Sequence, residues 1–480
     1  MVIAQVSSTD AERDELTRIF ETSISRGSSA INAEIDCDVA GRELAELEQT
    51  FSENPGSTPS ASAAAPTVPQ PPAAPTATVQ GVTDSEIKFG IVAPFSGASM
   101  AIGRQMKLGI DAAFNSVNDL GGIGGRMLRL IPADDGSDPA RTLGAIKQLY
   151  EREKVFAFVG NVGTPTAAAT IPYALQRHTL IFGAFTGSRL LRNEPPDRYV
   201  FNYRASDTEE LGAIMQYLLK SRRLQPRQIA VFSAQGAFGD DIFALANRAV
   251  RALGVKEGGM VRLSYDPNSL DVSQAVAQLK RSVVHPQPAR PLALNLNDPS
   301  RPPAPPIRVA PPSPQVKAVI MVAPYRIAAK LVEETRDLYP DMVYASVSST
   351  GSTELAEELM LLGPRYANGL IVTQVVPPVS GFSNVVLDYK RALAKYFPSE
   401  KPSFVSLEGY ITANILIQAL KRVDQPLDTE KLVDALENMS GLELGVGTEL
   451  NFGRAGHQAS HKVWGTKLNQ QGKYEPLDLQ

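Results

Sequence analysis

FVGNVGTPTAAATIPYA, residues 158–174, decides the fold class. Its first residues close the apolar run KVFAFVG, which has the length and character of a buried strand. Glycines break the run, and TAAATIPYALQRH carries helical spacing, with Thr164 and Thr166 where the helix begins. A strand that feeds a helix through a Gly-rich turn is the repeating unit of a parallel α/β sheet. The turn itself leaves its cargo open: a phosphate, a nucleotide, a carboxylate or nothing.

The same rhythm runs outward from this stretch. Before it come the strand IKFGIVAPF, helical spacing from Ile102 to Asn118, the strand MLRLIPAD and the helix DPARTLGAIKQLYERE. After it come the strand TLIFGAF, a helix from Leu211, the strand RQIAVFS, a helix from Asp240 to Leu253, the strand GMVRLSY and the helix SQAVAQLKRS. Proline then dominates PQPARPLALNLNDPSRPPAPPIRVAPPSPQ, residues 286–315, which excludes helix and central strand. It reads as an exposed insertion ahead of the strand VKAVIMVAP, either a tolerated surface loop or an extended segment for docking a partner.

Composition bounds the function. A chain of 480 residues calls for two or three domains, and 43% hydrophobic with 20% charged residues is ordinary for a globular protein. A formal net charge of -4 offers no footprint for nucleic acid. Cys37 is the single cysteine, so no intrachain disulfide forms. No apolar run approaches the ~20 residues that span a bilayer. MVIAQVSSTDAERDEL lacks the basic start and unbroken apolar stretch of a secretory signal.

The first residues stand apart from the α/β rhythm. Residues 1–53 carry acidic helical patterns and read either as a truncated, degenerate copy of the fold's beginning or as the tail of a different domain. Residues 54–85 are rich in Pro, Ala, Ser and Thr and read as an extended linker.

In a doubly wound sheet, ligands sit beyond the carboxyl ends of the strands. Four loops there have the right character: APFSGASMAIG, GNVGTPTA, GAFTGS and SAQGAFGDD. Free N–H groups at a helix start favour an anion, and Thr hydroxyls add donors. None of these loops carries GxxxxGK[ST]. GGIGGR at Gly121 looks like a dinucleotide loop, but it follows a helix and precedes a strand, the wrong order. Asp134 and Asp135 read as paired carboxylates or, more blandly, as caps for the helix near Pro139. His457 and His461 in HQASH have no third ligand in view and read as surface or edge histidines. With no GxSxG elbow, no HExxH and no metal set, no enzyme, cofactor or metal site is expected.

From Glu86 to the end, the chain resembles the type I periplasmic binding proteins, in particular the leucine/isoleucine/valine-binding group of ABC transporters. The resemblance is carried by IKFGIVAPFSG, GIDAAFNSVNDLGGIGGRMLRLIPADDGSDPARTLGAIKQL, FVGNVGTPTAAATIPYA, LIFGAFTGSRLL, YVFNYRAS, IAVFSAQGAFGDD and SLEGYITANILIQAL, in the family's order. It implies an α/β fold of two doubly wound lobes joined by a three-strand hinge: lobe one at 86–205 plus 376–445, lobe two at 206–375 plus 446–480. It implies a periplasmic monomer that delivers a small ligand to an ABC permease, or alternatively a sensing module that acts on a partner protein.

The resemblance also implies a site. Thr164 would offer its hydroxyl to a carboxylate, and Ala184 and Thr186 a carbonyl and a hydroxyl to an ammonium, with Ser96 and Phe185 beside them. Ile102 stands where the family has an aromatic wall, and Phe238 and Tyr325 would close over the ligand from lobe two. The family's acidic partner for the ammonium falls at Ser349 or Thr350, neither of which is a carboxylate. A carboxylic acid, an amide or an amino acid therefore remains open as the ligand.

Overall fold

Side chains along β1 (Glu86–Ala93) alternate between two covered faces. Ile87, Phe89 and Ile91 join one apolar cluster, and Val92 joins another on the opposite side. A strand covered on both faces belongs inside a parallel sheet flanked by helices. The computed structural model describes residues 79–255, 259–282 and 316–480. The segment 1–53 with Cys37, the expected linker as far as residue 78 and the Pro-rich insertion 286–315 lie outside the described residues.

The strands form two sheets. The first has the order β2-β1-β3-β4-β5, all parallel, from β1, β2 (Met127–Asp134), β3 (Ala157–Val159), β4 (Ile181–Phe182) and β5 (Val200–Phe201). The second uses β6 (Ile229–Ala234), β7 (Val261–Tyr265), β8 (Ala318–Val322), β9 (Val343–Ser346), β10 (Ile371–Gln374), β11 (Trp464–Leu468) and β12 (Tyr474–Leu477). Its order is β12-β11-β10-β9-β8-β6-β7, parallel through β10 and antiparallel for the last two. The fold is α/β with two doubly wound sheets, as the strand–helix rhythm implies.

The helices are α1 (Met100–Asn118), α2 (Pro139–Lys147), α3 (Thr164–Gln176), α4 (Asp207–Gln216), α5 (Ala237–Ala252), α6 (Ser273–Arg281), α7 (Tyr325–Arg336) and α8 (Ser352–Leu362), followed by α9 (Pro364–Ala367), α10 (Asn384–Tyr396), α11 (Phe404–Leu420) and α12 (Thr429–Glu437). Local chemistry sets their starts. Ser206 and Glu209 form a reciprocal capping box on α4, and Asp138 caps α2 with Pro139 at its first position. α2 continues without a break into a wider π-helical turn at Gln148–Arg152, so helix runs through nearly all of the pattern that ends in ERE.

Residues 79–85, read as linker, are instead fixed to the first sheet. Gln80 Nε2 donates to the carbonyls of Tyr150 and Val155, and Gly81, with φ +75°, lies where a Cβ would come within 2.3 Å of Phe156 N.

The helices α10–α12 follow the second sheet's parallel strands in the chain yet cover the first sheet. The crossing of α1 and α11 is made by glycines. A Cβ on Gly109 would lie 1.8 Å from Ser406 O, and one on Gly409 would lie 2.4 Å from Met106 O. Gly109→Ala is therefore expected to destabilise the protein by about 2–3 kcal/mol through overpacking, although alanine is the better helix former. Urea denaturation tests this, and an unchanged midpoint would mean that the two helices separate freely.

Three segments cross between the sheets, after β5, after β10 and before β11. Two run side by side: Asn202 N–H donates to His457 O (2.7 Å), Ala459 N–H to Asn202 O (2.8 Å) and Ser460 N–H to Tyr203 O (2.9 Å). The Tyr203 hydroxyl reaches the third through Val375 O at 2.9 Å. This pairing corrects the reading of His457 as a surface residue. It is buried, its ring stacked on Phe201 with centroids 3.7 Å apart, while His461 is exposed and paired with Glu209.

Candidate functional site

A cavity of about 410 Å³ lies between the two sheets, at the carboxyl ends of their parallel strands. The first sheet contributes Ile102, Thr164, Phe185 and Thr186 to its wall, and the second contributes Phe238 and Ser349. These six of the residues expected from sequence are brought together. Gly163, with φ +106°, turns the chain out of β3 so that Thr164 opens α3. The Thr164 and Thr186 hydroxyls are 2.6 Å apart and hydrogen-bond each other. The first-turn N–H groups of α3 have no partner one turn back, so this end of the cavity attracts negative charge.

Four expected residues lie off the wall. Ser96 Oγ donates to Asp134 at 2.6 Å. The Ala184 carbonyl accepts from Thr186 N–H at 2.8 Å in a tight turn. Tyr325 is buried in the apolar core, and its helix presents Pro324 and Ile327 to the cavity instead. The Thr350 hydroxyl is held by Ser346 Oγ at 2.5 Å.

Asp134 and Asp135 are not the caps of α2, a role that Asp138 fills. Burial works against the Asp134 charge. Hydrogen bonds from Ser96, from the Phe95 and Gly136 N–H groups and from Arg141 outweigh it and hold the carboxyl at about 2. Asp134 thereby pins the loop after β1. Asp135 accepts from Ser137 N–H and the Thr142 hydroxyl. Among the described residues, no three His, Cys, Asp or Glu side chains are grouped to hold a metal, and no helix is long and apolar enough to cross a membrane.

Sequence reasoning missed Asp207. This carboxylate lies on the cavity wall and is 3% exposed. Its N–H donates to Gly187 O at 2.8 Å, and a Cβ on Gly187 would come within 2.2 Å of its Oδ1, so only glycine leaves the carboxylate room. Burial, then the neighbouring Glu210, push its carboxyl up to about 6, and Arg204 and Arg192 pull the other way. In the sequence it stands inside SDTE, where the capping box of Ser206 and Glu209 explains an acid at a helix start without any ligand.

Arg204 supports the site from behind. It is 1% exposed and its guanidinium lies 4.7 Å from the Phe185 ring. It pairs with Glu210 at 3.3 Å and Glu408 at 3.6 Å and touches Ser348. Glu210 also accepts from Ser348 N–H (2.8 Å) and the Thr373 hydroxyl (2.5 Å). One buried cation thus joins a crossing segment, α4, α11 and the loop after β9.

The sheets' flanking elements already touch across the cleft. A Cβ on Gly351 would stand 3.2 Å from Ile102 Cγ1, and Arg189 Nε lies 3.6 Å from Asp241 Oδ1.

Residues 86–473 match the family described as "Periplasmic binding protein". The "Leu/Ile/Val-binding protein homolog 3" of Brucella melitensis is 28% identical over 204 residues, which cover 41% of this chain and 52% of that protein. The chain spans about half the length of the curated relatives it matches. A "possible leucine/isoleucine/valine-binding protein" from Rhodopirellula baltica superposes with a TM-score of 0.72 at 32% identity, covering 84% of this chain and 99% of that one. A branched-chain amino acid transporter substrate-binding protein from Streptococcus pneumoniae, solved with isoleucine, shares the fold with a TM-score of 0.64 at 18% identity, over 82% and 98% of the two chains.

Proposed function

We propose that this chain, which belongs to the periplasmic binding protein family, captures an α-amino acid in the cleft between its sheets and delivers it to an ABC permease. The observation that carries this reading is the trio lining one cavity: the Thr164 and Thr186 hydroxyls, 2.6 Å apart, and the Asp207 carboxylate. A helix start with hydroxyls suits a carboxylate, and a buried carboxylate suits an ammonium. Ser349 and Thr350 lack the acid expected there, and Asp207 supplies one from the hinge side. The leucine, isoleucine and valine specificities in the relatives' names support an amino acid over an amide or a plain acid.

The working unit would be two lobes, 86–205 plus 376–445 and 206–375 plus 446–480, in a periplasmic monomer. A ligand that bridges Thr164 on lobe one and Asp207, Phe238 and Ser349 on lobe two favours the closed form, in which the lobes touch, and so shifts the population toward the state that a permease reads.

The test is calorimetric titration of the intact chain. Thr164→Ala should weaken an α-amino acid by about 1.5–3 kcal/mol through loss of a charge-assisted bond. Unchanged affinity would remove Thr164 from the site.

A further inference from the structure

We propose that the ligand is an α-amino acid whose apolar side chain is larger than that of leucine, either aromatic or a long aliphatic chain. This rests on the amino-acid capture proposed above and goes further, to the size and character of the side chain.

The cavity measures about 410 Å³ while the two sides of the cleft are already in contact at Ile102 with Gly351 and at Arg189 with Asp241. Leucine, with only about nine heavy atoms, is smaller than the drug-sized ligands that clefts of this volume hold. The volume falls within the range of about 300–1,000 Å³ that accommodates drug-sized molecules. Away from Thr164, Thr186 and Asp207, the wall combines Val322, Tyr265, Ile327 and Leu270 with Asn268, Ser269 and Ser349.

The loop after β7 supplies much of that end. Asp266 accepts from the N–H groups of Asn268 and Ser269, and Ser269 Oγ accepts from Asp271 N–H. These backbone groups and the Ser269 hydroxyl satisfy one another, and Pro267, Asn268, Ser269 and Leu270 all line the cavity. Leu270 lines it and is yet 46% exposed, so the apolar surface continues to the rim. A side chain that starts at the hydroxyl–carboxylate end and extends toward Leu270 would cover it.

Isothermal titration of the intact chain with alanine, valine, leucine, phenylalanine, tryptophan and 2-aminooctanoate tests the proposal. Affinity is expected to keep rising past leucine, by about fourfold for each further methylene that is buried. Leu270→Asp is expected to flatten that rise. An optimum at valine or leucine, with larger ligands weaker, would overturn the size assignment while leaving amino-acid capture intact. Binding of plain carboxylic acids but of none of the six amino acids would overturn the capture reading, and the size assignment with it.

Discussion

Asp207→Asn is expected to weaken an α-amino acid about a hundredfold at pH 7.5, the loss of about 3 kcal/mol that follows when one partner of a buried charge pair is neutralised. Asn keeps the shape and leaves the Ser206–Glu209 capping box in place, so the helix start should survive the change. The wild-type protein should show the same chemistry through pH. Burial pushes the Asp207 carboxyl up to about 6, and an ammonium beside it would lower that value. Binding then favours the ionised form. Affinity should be flat above about pH 7 and fall by up to tenfold per unit well below 6 as protons compete. A plain carboxylic acid should show no such fall. Titrations at pH 5, 6 and 7.5 with an amino acid and its deaminated analogue separate the two cases. An amino-acid affinity indifferent to both pH and Asp207→Asn would exclude this carboxylate from the ammonium's surroundings.

Arg204→Met is expected to cost about 3–5 kcal/mol of stability, the largest loss foreseen for a single residue outside the cavity. Its removal leaves Glu210 and Glu408 buried without their cation. Glu408 is already pushed up to about 7 by burial, against the pull of Arg204. An acid whose folded value is raised is penalised increasingly as pH rises from its unfolded value up to its folded one, and losing Arg204 raises that folded value further, so the variant's deficit should be larger at pH 8 than at pH 6. Adding Glu210→Gln and Glu408→Gln should restore part of the stability, because the three groups act as one network. Urea midpoints of the single and triple variants at both pH values provide the check. A loss below about 1 kcal/mol for Arg204→Met would show that these carboxylates are satisfied without it.

What could be read from the sequence was local. Strand, glycine turn and helix lie consecutively around Thr164, so both the parallel fold and the position of that hydroxyl follow from adjacent residues. Phe238 comes instead from the family resemblance, and it lines the cavity as the second residue of its helix. The misreadings come from side-chain direction and from contacts distant in sequence. Tyr325 is one position from Pro324 and two from Ile327, yet on a helix such steps turn a side chain from the cavity into the core. Ser349 and Thr350 divide in the same way. Asp207 meets the cavity because its backbone is held by Gly187, a pairing that no spacing rule indicates. HQASH has the composition of a surface turn, and only its pairing with Asn202 and Tyr203 shows that His457 is interior.

The contact of Gly109 with α11 has a consequence for biogenesis. A ribosome that has released residues 86–201 has made every strand of the first sheet, but α11 ends only at Leu420. Until then the surface of α1 that α11 will cover stays open, and the second sheet meanwhile lacks β11 and β12 at its β10 edge. Neither half can finish first. The nascent chain carries two incomplete cores through most of its synthesis, when uncovered apolar surface and a free strand edge invite aggregation. A premature stop anywhere before Leu420 would therefore leave no intact half to salvage, and slow release or chaperone cover during that interval should matter more to yield than the stability of the finished protein.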